Sequence, residues 1–267
     1  MTERCSRWAT WRRCRVGARW KRPICASCAT DQLAVRQALT IAARDLRANF
    51  LTAFGLGSTA GFAAAAGVVL VVVLRGNQAR LAGWFGTLYV LLGVLAALLT
   101  MRSFAEEERL GTLELLLTSP VRPWQVVTGK LLGVAGVLLV DVAATLACPL
   151  LVASMGHPDA GPILTGYVGV ILVGLAFVAV GLAVSAATSN PLVAAVGSLA
   201  VLLALWGAGI VSGGLTGWPR LALEELAPSG HVVGFLRGTL STKDVVYFVS
   251  LLALGLVTNV VVLEERR

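Results

Sequence analysis

The side chains best suited to polar chemistry crowd into one stretch, residues 101–130, MRSFAEEERLGTLELLLTSPVRPWQVVTGK. It carries four acids (Glu106, Glu107, Glu108, Glu114) and four bases (Arg102, Arg109, Arg122, Lys130) around an apolar stripe. Leu110, Leu113, Leu116 and Leu117 recur at helical spacing, which predicts a short amphipathic helix. It ends at Thr118-Ser119-Pro120, because Pro120 disfavours helix at Ser119. A second helical stretch then leads from Pro123 or Trp124 into the apolar run that follows. Gly111 sits where the chain can bend between the acidic cluster and the Leu-rich turn. Connections of this length without a role are uncommon, so the stretch reads as functional; the plain alternative is a solvated charged loop.

Other chemistry-bearing residues are scattered. Asp141 is the one acid inside an apolar run, and a carboxylate in lipid is costly and a functional candidate by default. The structural alternative is a hydrogen bond to Thr145 one turn on, or a place nearer the boundary. Cys25-Ala-Ser-Cys28 has the spacing of a metal knuckle, with Cys5 and Cys14 upstream. A zinc site would use a second tight pair or a His pair, and the nearest His is His157. His157-Pro158-Asp159 reads as a turn rather than a metal site. Ser212 could be a nucleophile, but no base accompanies it within the apolar runs, and Cys148 stands alone. No G-x-x-x-x-G-K-[ST] occurs: Gly129-Lys130 is followed by Leu131, with Trp124 where the earlier Gly should be. Neither a catalytic nor a metal site is expected.

These residues are positioned by an apolar scaffold. Charged residues make up 13% of the 267 and hydrophobic ones 57%, with mean hydropathy +0.82. A soluble domain carries about a quarter charged residues, so lipid is the expected solvent. From Ala160 to Pro219 there is no Asp, Glu, Lys or Arg. One helix of that length would be about 90 Å long, roughly three times the hydrocarbon thickness. It must fold back, and Asn190-Pro191 in Thr188-Ser189-Asn190-Pro191 is where. Six segments are long and apolar enough to span: Leu51–Leu74, Gly83–Thr100, Leu131–Ala153, Ile163–Ala187, Leu192–Gly214 and Val245–Leu263. The expected fold is all-α, a polytopic membrane protein with six transmembrane helices.

With both termini inside, the inner segments hold 17 Lys/Arg and the outer ones 5, the bias of the positive-inside rule. Without residues 1–32 the balance is 9 against 5. The same distribution turns the net charge of +8 away from nucleic acid and toward a membrane surface. Residues 1–32 are basic and aperiodic, reading as a disordered tail or an early start codon ahead of a domain at 33–267; no apolar segment precedes Leu51 to make a signal peptide. From Leu33 to Arg47 an amphipathic helix is expected, with Arg36, Arg44 and Arg47 on its polar side. It either lies in the interface near anionic headgroups or simply extends the first span. The outer segment 215–244 is too long for a turn; Trp218, Leu221, Leu223, Leu226, Val232, Val233, Phe235 and Leu236 suggest one or two amphipathic helices there.

The stretch EEERLGTLELLLTSPVRPWQVVTGK resembles the first cytoplasmic loop of ABC-2 type transporter permeases, in the gliding-motility and copper-processing branch. Glu107, Arg109, Gly111, Thr112, Glu114, Leu116, Leu117, Pro120, Val121, Val127, Gly129 and Lys130 fit that pattern, and Arg122 departs from its usual small polar residue. Leu226-Ala-Pro-Ser-Gly-His231, Phe235, Arg237-Gly238, Asp244, Tyr247 and the Leu263–Arg267 ending are also similar. The resemblance implies a permease of an ATP-driven transporter, an exporter, in the cell membrane with both termini cytoplasmic. It implies a separate ATP-binding subunit that holds ATP and Mg, this chain needing no cofactor, and a second permease copy or paralogue. The loop's helix would be the cytoplasmic coupling helix between helices 2 and 3. Glu106, Glu107, Glu108, Arg109 and Glu114 would contact the ATPase, Gly111 and Pro120 would shape the loop, Thr112 would belong to it, and the outer segment would form the extracellular gate. The alternatives are an ion-coupled transporter using Asp141 and a membrane-embedded enzyme.

Overall fold

A computed structural model describes residues 38–75, 82–112, 122–155, 160–214 and 216–266. Among them every regular element is a helix: α1 (38–51), α2 (Ala53–Arg75), α3 (Ala82–Thr100), α4 (Ala105–Arg109), α5 (Pro123–Thr145), α6 (Ala147–Met155), α7 (Ala160–Ala186), α8 (Pro191–Ser212), α9 (Trp218–Leu226), α10 (Pro228–Leu236) and α11 (Thr242–Glu265). Among the described residues six helical runs are long and apolar enough to cross a membrane: α2, α3 with α4, α5 with α6, α7, α8 and α11. The all-α, six-span expectation holds. The tail 1–32 with its cysteines, Leu33, Arg36, Leu113, Glu114, Leu116, Leu117, Pro120 and His157-Pro158-Asp159 lie outside the described residues.

α7 is the centre of the bundle and packs against α3, α5, α8, α10 and α11. Its Val170, Val173 and Phe177 share a buried core with Trp84, Leu88 and Leu92 of α3. Several buried polar atoms are tied to backbone carbonyls, as lipid favours. Trp84 Nε1 donates to Ala66 O at 3.1 Å, Tyr89 Oη to Gly166 O at 3.2 Å, and Asn259 Nδ2 to Ala179 O at 3.2 Å.

Local chemistry sets the boundaries. Between α7 and α8 the chain turns back as expected at Asn190-Pro191. Asn190 Oδ1 accepts from the Leu192 N–H at 3.0 Å and Pro191 occupies the first helical position, where its missing N–H costs nothing. The helix that carries the third span, expected at 131–153, starts ahead of it where a helical lead-in from Pro123 or Trp124 was expected. It begins at Pro123, runs to Ser154 and breaks at Leu146. Pro149 explains the break: it offers no N–H to the Thr145 carbonyl one turn back, and its ring crowds that group.

α1 bends into α2 at Thr52 and packs directly on α5. Gly129, Gly133 and Gly136 lie on one face of α5 and admit it. A Cβ at Gly129 would come within 2.9 Å of the Ala38 carbonyl oxygen, and one at Gly133 within 3.1 Å of Asp45 Cβ. Such small-residue faces let helices approach closely where lipid removes the usual hydrophobic drive. Arg44 and Arg47 remain exposed, together with the apolar Leu39 and Leu51, while Asp45 lies on the packed side. The segment expected outside contains two short helices, α9 and α10.

Candidate functional site

The charged stretch opens on a buried anchor. Phe104 and Ala105 are fully buried, and their backbone N–H groups donate to Ser185 Oγ at the end of α7, at 3.2 and 3.3 Å. One hydroxyl thus serves two orphan donors at the start of α4. Glu106, Glu107 and Glu108 fill the first turn of α4, where the positive end of the helix dipole favours them. The helix stops at Arg109. Gly111 adopts φ +70°, a left-handed conformation that glycine takes without strain, so the bend expected there exists. Thr112 Oγ1 then donates to the Glu107 carbonyl at 3.1 Å.

Each acid of α4 is matched to a base. Arg102 Nε and Nη2 bind Glu106 as a fork at 2.5 and 2.7 Å. Glu108 pairs with Arg266 just beyond α11. Glu107 is the hub: Arg44 Nη2 of α1 reaches its Oε1 at 2.6 Å, and Lys130 Nζ of α5 lies 3.0 Å from its Oε2. Lys130 is 1% exposed although it sits in a helix of the bundle. Its ammonium also donates to Ser103 O at 2.5 Å, lies 3.5 Å from Asp45 Oδ2 and sits 4.9 Å above the Phe104 ring. A cation so buried requires this much compensation. A cavity of about 370 Å³ opens beside the hub, lined among others by Arg44, Asn49, Arg102 and Glu106.

Of the residues expected to meet a partner, Glu106, Glu107 and Glu108 pair with bases of the same chain and are partly exposed, Arg109, Gly111 and Thr112 are exposed together with Leu110, and Glu114 lies outside the described residues. Sequence reasoning did not identify Asp45, Ser185 or Arg266 as members of this group. A base buried beside apolar residues, as Lys130 is beside Leu131, was the available signal. Asp141 is 2% exposed, within the third span. The hydrogen bond offered as its structural alternative is not made: Thr145 Oγ1 donates to Val142 O at 2.6 Å and lies 3.3 Å from Tyr167 Oη. Thr145 thus spends its proton on its own helix, as hydroxyls on helices commonly do. Asp141 Oδ2 has no hydrogen-bond partner among the described residues. Ser212 Oγ likewise donates to Gly209 O at 2.8 Å.

Two observations now coincide: six helices able to span a membrane, and a charged helical turn, α4, between the second and the third. The model of the ABC-2 family transporter proteins matches residues 26–263, nearly the whole chain. The chain belongs to the ABC-2 transporter family. A comparison with curated proteins finds no match. The ABC-2 match begins at residue 26, ahead of the expected domain start at 33, and includes every described helix except the end of α11. As an ABC-2 chain it is a multi-pass membrane permease of a transporter, and α4 lies in the loop whose sequence carries the family resemblance.

Proposed function

We propose that this permease is the membrane-spanning subunit of an ATP-driven exporter, energised by a separate ATP-binding subunit that docks on residues 101–130. The observation that carries this reading is the ionic hub at Glu107. A push on the exposed Arg109–Thr112 turn would reach α1 through Arg44, α5 through Lys130, α7 through Ser185 and the end of α11 through Arg266. An element meant to pass motion must be tied to what it moves, and a solvated loop of no consequence has no need of a buried lysine. The ATP and Mg would belong to the partner, since the chain has no P-loop sequence. On this reading both termini are cytoplasmic, and a second permease copy or paralogue completes the membrane part. The loop motif supports placement in the gliding-motility and copper-processing branch. A second reading, coupling to an ion at Asp141, is favoured by that residue's unpartnered oxygen.

Mass spectrometry of the complex purified in mild detergent tests the first reading: a P-loop ATPase is expected to travel with the chain. Gly111→Pro forces φ near −65° on a position at +70°, and Glu107→Lys sets three cations together. Both variants are expected to lose the ATPase or uncouple its ATP turnover while keeping their helical circular dichroism. Normal association and turnover in both would refute the docking site.

A further inference from the structure

At the other end of the bundle from α4, three elements meet around His231 of α10, whose side chain is 7% exposed. Its Nδ1 lies 2.9 Å from Asp244 Oδ1 of α11, and its Nε2 lies 3.2 Å from the carbonyl oxygen of Glu225 on α9. The Tyr247 ring stacks on the imidazole at 4.1 Å and 15°, and its hydroxyl donates to Leu226 O at 2.6 Å. Gly234 makes room for the carboxylate: a Cβ there would sit 2.5 Å from Asp244 Oδ2.

Both ring nitrogens therefore face oxygen atoms. A neutral imidazole has one N–H and one lone pair. Beside an ionised Asp244 it could satisfy only one contact, and the other would set a lone pair against an oxygen. Both contacts are made when the pair holds one more proton, whether as imidazolium with carboxylate or as imidazole with carboxylic acid.

We propose that His231 and Asp244 form a proton-binding site, and that the bound proton clasps α9, α10 and α11 together. The surrounding charges are few. Lys243 of α11 pairs with the Glu225 side chain at 2.7 Å and holds that carboxyl below its usual range. On α9, Arg220 pairs with Glu224, and Arg237 caps α10. α3, α7 and α8, also packed on α10, contribute no charged residue. The clasp is complete at low pH and loses one of its two contacts as pH rises and the proton leaves. The inference stands independently of the ATPase reading, because it concerns only contacts within this chain.

Hydrogen exchange of the full chain in lipid nanodiscs, read by mass spectrometry at about pH 6 and about pH 8.5 and corrected for the intrinsic rate, tests it. Backbone amides of 218–241 should be about tenfold better protected at the lower pH, the fold-change of one charge-assisted hydrogen bond. His231→Gln and Asp244→Asn should each abolish this dependence. His157→Gln, which changes the chain's other histidine, should preserve it. Equal protection at both pH values in the unmodified chain, or a pH dependence that survives His231→Gln, would overturn the proposal.

Discussion

Replacing Lys130 by methionine keeps the length and apolar stem of the side chain and removes its charge. The ammonium is 1% exposed, and the carboxylates beside it, Asp45 and Glu107, are 16% and 19% exposed. Without it, two largely buried anions share Arg44, whose side chain is 56% exposed. Breaking a fully buried pair costs about 3–5 kcal/mol; the residual exposure of the carboxylates puts this case near the bottom of that range, about 3 kcal/mol. For a chain of this size that corresponds to a fall in Tm of about 6–12 °C. The second variant, Lys130→Met with Glu107→Gln, removes one charge of each sign and leaves Arg44 beside Asp45, 3.1 Å apart. It should recover part of the loss, with a coupling energy of about 2 kcal/mol. Thermal unfolding in detergent micelles, followed by circular dichroism at one protein concentration, reads all four corners of the cycle. A Lys130→Met protein within about 2 °C of the parent, or single effects that add to within about 0.5 kcal/mol, would refute the claim that this lysine fixes the loop.

Two further perturbations address other parts of the molecule. Gly129→Val must displace the backbone of α1, because the Cβ site lies 2.9 Å from the Ala38 carbonyl oxygen. It should cost about 1–3 kcal/mol and speed tryptic cleavage at Arg44 and Arg47, whereas Gly61→Ala, with nothing within 4 Å of its Cβ, should change neither. Asp141→Asn and Asp141→Leu separate function from packing: both should assemble with the partner, and Leu should abolish ATP-dependent transport. Intact assembly and transport in the Leu variant would remove Asp141 from the mechanism.

The legible part of this protein was written in local signals. Hydropathy runs located the spans because lipid penalises every unpaired polar group. Pro191 and Pro123 marked helix starts, and Gly111 marked a bend, because proline and glycine act on their own φ angle wherever the chain goes. Pro149 carried the same kind of signal, and the break it causes was read through because the hydropathy around it is unbroken. What stayed hidden depends on partners distant in sequence. Glu107 meets Arg44 across 63 residues, and Ser185 caps Phe104 across 81. No periodicity encodes such pairs, and three consecutive glutamates look the same in sequence whether they await a partner protein or face bases of their own chain. For Glu107 the burial of Lys130 bears on that choice. Lys130 is almost wholly enclosed, so its neutralising anions must come from this chain. Glu107 is therefore an internal tie, whereas Glu106 and Glu108, 34% and 27% exposed, hold bases of the chain and still show part of their surface beside the exposed Arg109, Leu110, Gly111 and Thr112. On the proposed reading a docking partner would meet the bend at Gly111 and the outward edges of Glu106 and Glu108, with Glu107 setting how firmly that bend is held.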